Sequence, residues 1–149
     1  MADLFPIPTK TWRDAPYDAI DPSRPELSVQ SKTVVITGAG TGIGRETALA
    51  FAAAGATKLH ILGRREDKLE ETKMVVNSNF PNVTTEIHVG SVSSEDDIRT
   101  AAKKIGEWDV FISNAGFLAT PGSIKESDPR DWWEGFEVRT ARVRFKEPC

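Results

Sequence analysis

The chain has 149 residues, 39% hydrophobic and 28% charged, enough for one domain with a buried core. Its 19 basic and 22 acidic side chains are spread along the sequence and give a formal charge of -3, so no basic stripe is available for DNA or RNA. No stretch is long and apolar enough to span a bilayer, and the opening Met1-Ala2-Asp3-Leu4-Phe5-Pro6 lacks the basic start of a secretory signal, so no membrane partner and a cytoplasmic location are expected.

The single cysteine, Cys149, is the last residue, so neither an internal disulfide nor a metal cluster is expected. Asn82-Val83-Thr84 fits a glycosylation acceptor, but nothing else in the sequence suggests secretion. Pro6, Pro8, Pro16, Pro22 and Pro25 fall within residues 1 to 31 and forbid a long helix or central strand there. This segment reads as a leader that either lies over the domain or stays loose.

From Thr33 onward, short apolar runs alternate with helical periodicity, the pattern of an α/β fold in which crossover helices cover a parallel sheet. Thr33 to Thr37 is the first predicted strand. Ile43, Thr47, Ala50, Phe51 and Ala54 recur at helical spacing behind it, and Gly55 suits a left-handed cap. Lys58 to Leu62 is the second strand. Glu66 to about Asn79 is a charged surface helix with Leu69, Thr72 and Val76 on one side, ending before Pro81. Glu86 to Val89 is the third strand. Ser94, followed three residues later by Asp97, resembles a capping box ahead of Ile98, Ala101, Ala102 and Ile105. Asp109 to Ser113 is a short fourth strand, and Asp128 to Val138, with Trp132, Trp133, Phe136 and Val138, a fourth helix.

Three segments carry chemistry. Thr37-Gly38-Ala39-Gly40-Thr41-Gly42-Ile43-Gly44 follows a predicted strand and opens a helix, the context a pyrophosphate-binding turn requires. Small residues let the backbone approach the phosphates, and the helix start supplies free amides and a favourable dipole. About 20 residues further on, an acid would bond the ribose of NAD, whereas an arginine accommodates the extra phosphate of NADP. Here the strand ends Leu62-Gly63-Arg64-Arg65, which favours NADP(H), because a guanidinium can pair with a phosphate through two parallel hydrogen bonds. The bland alternative is that both arginines simply begin a solvated helix, with Glu66 and Asp67 close by. Third, Asn114-Ala115-Gly116 stands at the carboxyl end of the fourth strand, where parallel sheets place ligands.

Together the glycine motif and Asn114-Ala115-Gly116 resemble the amino-terminal part of a short-chain dehydrogenase/reductase, over residues 9 to 138. The leader Thr11-Trp12-Arg13-Asp14-Ala15-Pro16-Tyr17 and Arg24-Pro25-Glu26-Leu27 are similar to those of filamentous-fungal members. The resemblance implies the first half of a Rossmann-type doubly wound sheet of about four strands. It implies that Ile43 and the glycine-loop backbone meet the cofactor phosphates, that Arg64 meets the 2'-phosphate, and that Asn114 buttresses the sheet near the ribose. Family members usually place an aspartate before valine after the third strand, to bond the adenine amino group; this chain has Ser91-Val92. A hydroxyl there lacks charge assistance, a difference of about 1 kcal/mol.

By the same resemblance, catalysis needs a tyrosine with a lysine four residues later, together with a serine. A free phenol is a poor base at neutral pH, which is why the neighbouring cation matters. The only tyrosine, Tyr17, lies before the glycine motif and has Asp21 four residues on. No catalytic residue is therefore assigned, and the chain is expected to be a truncated member with little or no turnover alone. The end, Arg139-Thr140-Ala141-Arg142-Val143-Arg144-Phe145-Lys146-Glu147-Pro148-Cys149, is basic and aperiodic. It reads as a departure from the family's path near Val138, or as a basic tail for an acidic partner. Residues 32 to 138 are the expected nucleotide-binding unit. An alternative function is a non-catalytic module that pairs with a homologous subunit, since the fourth strand should form an open sheet edge and the tryptophans a contact face.

Overall fold

The computed structural model describes residues 17–140; residues 1–16 of the expected leader and 141–149 of the expected tail lie outside it. Four parallel strands are joined by helices in strict alternation. They are β1 (Thr33–Thr37), α1 (Gly42–Ala53), β2 (Lys58–Gly63), α2 (Glu66–Asn79), β3 (Thr84–Val89), α3 (Glu95–Ile105), β4 (Val110–Ile112) and α4 (Pro129–Thr140). The sheet order is β3-β2-β1-β4. β1 pairs with β2 on one side, Val35 opposite His60, and with β4 on the other, Val35 opposite Phe111. The order therefore reverses direction at the β1/β4 boundary, and in open α/β sheets that reversal opens a crevice at the carboxyl ends of the strands.

Burial on both faces explains why β1 and β2 are nearly continuous apolar runs. Val34, Ile36, Leu59 and Ile61 face α1 and α2, packing with Ala48, Ala52, Leu69 and Val76. Val35 and Leu62 face the opposite way, onto Ile98, Ala101 and Ile105 of α3. Helices thus cover both sides of the sheet, as expected for a Rossmann-type unit. Part of the proline-rich segment lies on the domain: the Val29 amide donates to the Ala54 carbonyl at 2.9 Å, and the Val29 side chain packs against the core.

α2 buries Leu69, Thr72 and Val76, the three positions its periodicity predicts. α1 differs. Its buried stripe is Gly44, Ala48 and Ala52, not the expected Ile43, Thr47, Ala50, Phe51 and Ala54. The helix lies close to the sheet, so small side chains fill its innermost face, while Leu49 and the expected Phe51 pack half-buried against the same core and Ile43 is left 79% exposed. Gly55, at φ 92°, then ends the helix in the left-handed region, where a Cβ would be strained.

α3 begins as half a capping box. The Ser94 hydroxyl accepts from the Asp97 amide at 3.3 Å, but the Asp97 carboxylate takes the Ser91 amide at 2.8 Å rather than the amide of Ser94, which donates to the Ser91 carbonyl. Asp97 therefore secures the loop after β3. At the edge, β4 has only three paired residues, and Asp109 just before it accepts from the Thr33 amide and the Lys32 ammonium, both at 2.8 Å. The Lys32 hydrogen bond, followed by that of Thr33, holds the Asp109 carboxyl below its usual value. Phe111 and Ile112 are half-buried, each touching the core on one face.

Two buried histidines lie on the α3 side of the sheet, His60 of β2 and His88 of β3, with His60 Nδ1 2.9 Å from His88 Nε2. Burial, then the neighbouring imidazole, pushes the His60 pKa down to about 4; burial also lowers that of His88. A depressed histidine value means the unfolded chain takes up protons first, so stability is lost as pH falls from about 6.5 towards the folded values. Urea unfolding should show stability declining between pH 7 and pH 5, above the range in which carboxylates titrate. A flat profile over that interval would contradict the assignment of both imidazoles as neutral and buried.

Candidate functional site

The turn between β1 and α1 is built by close approach. Gly38 has φ 68° and Gly42 φ 56°, left-handed conformations that β-carbons disfavour. A Cβ on Gly44 would lie 2.3 Å from the Gly38 carbonyl oxygen and 2.6 Å from Asn114 Nδ2. One on Gly38 would lie 2.8 Å from the Ala115 Cα. Glycine at both positions lets strand, helix and the β4 loop converge. A Cβ on Gly42, by contrast, would meet nothing within 4 Å, so that glycine faces open space at the mouth of α1.

Polar bonds fix the loop from behind. The Thr37 hydroxyl accepts from the Asn114 amide at 3.1 Å and the Ala115 amide at 3.0 Å, while Asn114 Nδ2 donates to the Thr37 carbonyl at 2.9 Å and the Gly38 carbonyl at 3.3 Å. Thr72 of α2 donates to the Ala39 carbonyl at 3.0 Å, and Arg45 Nη2 to the Gly40 carbonyl at 2.9 Å. Arg45 also bonds Thr72 and pairs with Glu71, whose carboxyl is held low first by Lys68 and then by Arg45. The Gly38 and Ala39 amides are taken by the Leu62 carbonyl at 2.7 and 3.4 Å, so the backbone donors left for a ligand are those at the start of α1. Thr41 makes no side-chain cap to α1; its hydroxyl takes Arg65 Nη2 at 3.2 Å instead. The first turn of α1 also carries no acidic residue, unlike those of α2 and α3. A helix start left uncapped and uncompensated attracts anions.

In front of this loop lies a cleft of about 350 Å³ at the carboxyl ends of the strands. It brings together Gly38, Thr41, Ile43, Gly44, Gly63, Arg64, Arg65, Ser91, Asn114, Ala115 and Gly116, which the sequence had placed on three separated segments. Two predicted residues stand apart. Thr37 is fully buried and acts beneath the cleft, through its bonds to Asn114 and Ala115, and Gly42 lies at the rim of the loop without lining the cavity. The lining also includes Gly40 of the glycine motif and residues that sequence reasoning missed, chiefly Lys68 and Val92. Lys68 lies in the first turn of α2, where its β-carbon would lie 3.1 Å from a Cβ on Gly40; only the packing of α2 against the glycine turn brings it to the cleft, and no local pattern in the sequence signals that. The cleft thus carries three cations, Arg64, Arg65 and Lys68, and no carboxylate among the described lining residues.

Two features mark the outer part of the cleft. Arg64 is exposed and donates from Nη1 to Glu134 of α4 at 3.2 Å, so an anion arriving there competes with a carboxylate. Ser91, standing where the family usually has aspartate, shares its hydroxyl with Ser93 at 2.8 Å, and its amide is bound by Asp97. Tyr17 does not line the cleft.

A parallel sheet whose glycine turn feeds a cationic crevice at the order reversal defines a Rossmann-type dinucleotide-binding unit. The short chain dehydrogenase profile matches residues 32–141, and the chain belongs to that family. Among curated relatives, the short chain dehydrogenase tazN of Aspergillus terreus is 33% identical over 143 residues, covering 90% of this chain and 29% of the relative. The short chain dehydrogenase pigC of Monascus ruber is 35% identical over 134 residues, 85% and 43% of the two chains. Among solved structures, L-sorbose reductase from Gluconobacter frateurii complexed with NADPH and L-sorbose superposes with a TM-score of 0.70 at 26% identity, over 78% of this chain and 45% of that one. A short chain dehydrogenase from Escherichia coli CFT073 complexed with NADPH gives 0.65 at 30% identity, over 75% and 49%. The chain therefore spans less than half the length of each of these proteins.

The close approach at Gly44 is directly testable. Gly44→Ala forces a β-carbon onto a backbone carbonyl and should lower stability by about 1–3 kcal/mol or more. Urea unfolding of the variant at wild-type midpoint would contradict the geometry.

Proposed function

We propose that the chain binds NADP(H) in this cleft and is the nucleotide-holding part of an oxidoreductase that reduces carbonyls or oxidises secondary alcohols. One observation carries the reading: an open helix start beside Gly42 and three cations line a single crevice at the carboxyl ends of the strands. The loop amides and Ile43 receive the pyrophosphate, Arg64 with Arg65 and Lys68 receives the 2'-phosphate, and Asn114, Ala115 and Gly116 border the ribose of the nicotinamide half. The bound nicotinamide would supply a hydride donor or acceptor. What these residues contribute is binding and orientation; a group that moves the accompanying proton is not among them.

Glu134 is part of the same balance. Its ion pair with Arg64 is exposed, and such pairs are worth about 0–1 kcal/mol, whereas a charge-assisted bond to phosphate contributes about 1.5–3 kcal/mol. A 2'-phosphate therefore displaces the carboxylate. The sole tyrosine, Tyr17, lies outside the lining and has no lysine four residues on, which supports the reading that the 149-residue chain has little or no turnover alone. A homologous subunit is the second partner proposed, supported by the exposed Trp132, Trp133 and Phe136 of α4 and by the place of β4 at the end of the sheet formed by the described residues.

Fluorescence titration should give tighter binding of NADPH than of NADH, with Arg64→Gln weakening NADPH by about tenfold and leaving NADH nearly unchanged. Equal affinities in the wild-type chain, or an unchanged preference in the variant, would remove the role given to Arg64. Mixed with NADPH and a panel of carbonyl compounds, the purified chain should show no oxidation above background. Sustained turnover that depends on the chain would overturn the inactivity.

A further inference from the structure

The two histidines under α3 have a third neighbour. Parallel pairing sets His60 opposite Glu86 and Leu62 opposite His88. Residues two apart on a strand share a face, so His60, Glu86 and His88 all point to the α3 side, on adjacent strands. The three side chains bring one ligand atom each to within 4.8 Å of one another. His60 Nδ1 is 2.9 Å from His88 Nε2 and 3.7 Å from Glu86 Oε2.

We propose that His60, Glu86 and His88 bind one divalent transition ion of the zinc class, clasping β3 to β2. Two imidazoles and one carboxylate are a donor set that such ions favour, and they leave a fourth position for water. Metal–nitrogen bonds of about 2.0–2.1 Å in tetrahedral geometry place ligand atoms about 3.3 Å apart. The observed separations of 2.9 and 3.7 Å lie on either side of that value. The third pair, Glu86 with His88, lies within 4.8 Å, so binding opens the imidazole pair by a few tenths of an ångström and swings the half-exposed carboxylate inward by up to about 1.5 Å, within reach of rotation about its side-chain bonds.

The surroundings suit the ligands. Lys58 holds Glu86 Oε1 at 2.9 Å, fixing the carboxylate so that Oε2 turns towards His60; outer partners of this kind orient metal ligands. β3 is an edge strand and the Glu86 side chain is 43% exposed, which gives an ion a route in from solvent. His60 Nε2 is buried without a partner. Coordination through Nδ1 places the proton on that atom, and since it already lacks a partner when the imidazoles bond each other, binding adds no new orphan there. Lys58 and the nearby Lys104 oppose an incoming cation, so affinity is modest rather than extreme. His60 and His88 are 28 residues apart in sequence, and only the β2–β3 register unites them, which is why no metal site was expected from local spacing or from the lone cysteine.

The test uses the whole 149-residue chain, stripped with chelator and titrated calorimetrically with zinc chloride, with cobalt chloride as a spectroscopic probe. One equivalent of zinc should bind and raise Tm, and cobalt should give the visible absorption of a four- or five-coordinate site that zinc abolishes. Glu86→Gln, at a half-exposed position that preserves the fold, should weaken zinc by about tenfold or more. His88→Asn should abolish the cobalt spectrum. No binding by the wild-type chain, or equal affinity in wild type and Glu86→Gln, would overturn the proposal and leave a hydrogen-bonded histidine pair. Circular dichroism of both variants establishes that they are folded, and if His88→Asn is not, Glu86→Gln decides.

Discussion

The rest of the structure depends on how closely α1 approaches β1. The Gly38 carbonyl stands 2.3 Å from where a Cβ of residue 44 would be, and Asn114 fills the remaining space at 2.6 Å. No side chain can be accommodated there, so the identity of one residue sets the distance between the first strand, the first helix and the loop after β4. The small buried stripe Gly44, Ala48 and Ala52 extends the same closeness along the helix. Because the helix is drawn in, its amino end points into the crevice instead of passing above it. The dipole and amides of that end then act where the strand order reverses.

Electrostatics build on this geometry. α2 and α3 offset their amino-terminal dipoles with acidic residues, whereas α1 does not. The lip formed by Arg64, Arg65 and Lys68 adds positive charge along one side of the cleft, and Arg45 with Thr72 holds the loop carbonyls away from it. The arrangement is preorganised: an anion meets donors already oriented and restrained, so little ordering remains to oppose binding.

Much of this was legible in the sequence. β1, α2 and the glycine turn follow from apolar runs, periodicity and spacing, and eleven of the thirteen residues expected at the nucleotide site line one cleft. What escaped was contact between elements. Periodicity weighs large apolar residues, so the alanine and glycine face of α1 was hidden behind Ile43 and Phe51. Thr37 was expected at the cofactor because it opens the motif, but full burial turns its hydroxyl towards Asn114 and Ala115. Asp97 read as a cap residue because spacing alone cannot tell the amide of Ser94 from that of Ser91. His60, Glu86 and His88 meet only through strand register, which no local pattern encodes.

The central claim is that a dinucleotide phosphate binds at the uncapped start of α1. Amide chemical-shift mapping of the isotopically labelled chain during titration with NADPH tests it residue by residue. The account predicts the largest shifts at Gly40 to Gly44, with further ones at Arg64, Arg65 and Ser91. Shifts confined to other parts of the molecule, with the glycine turn unmoved at saturation, would contradict it.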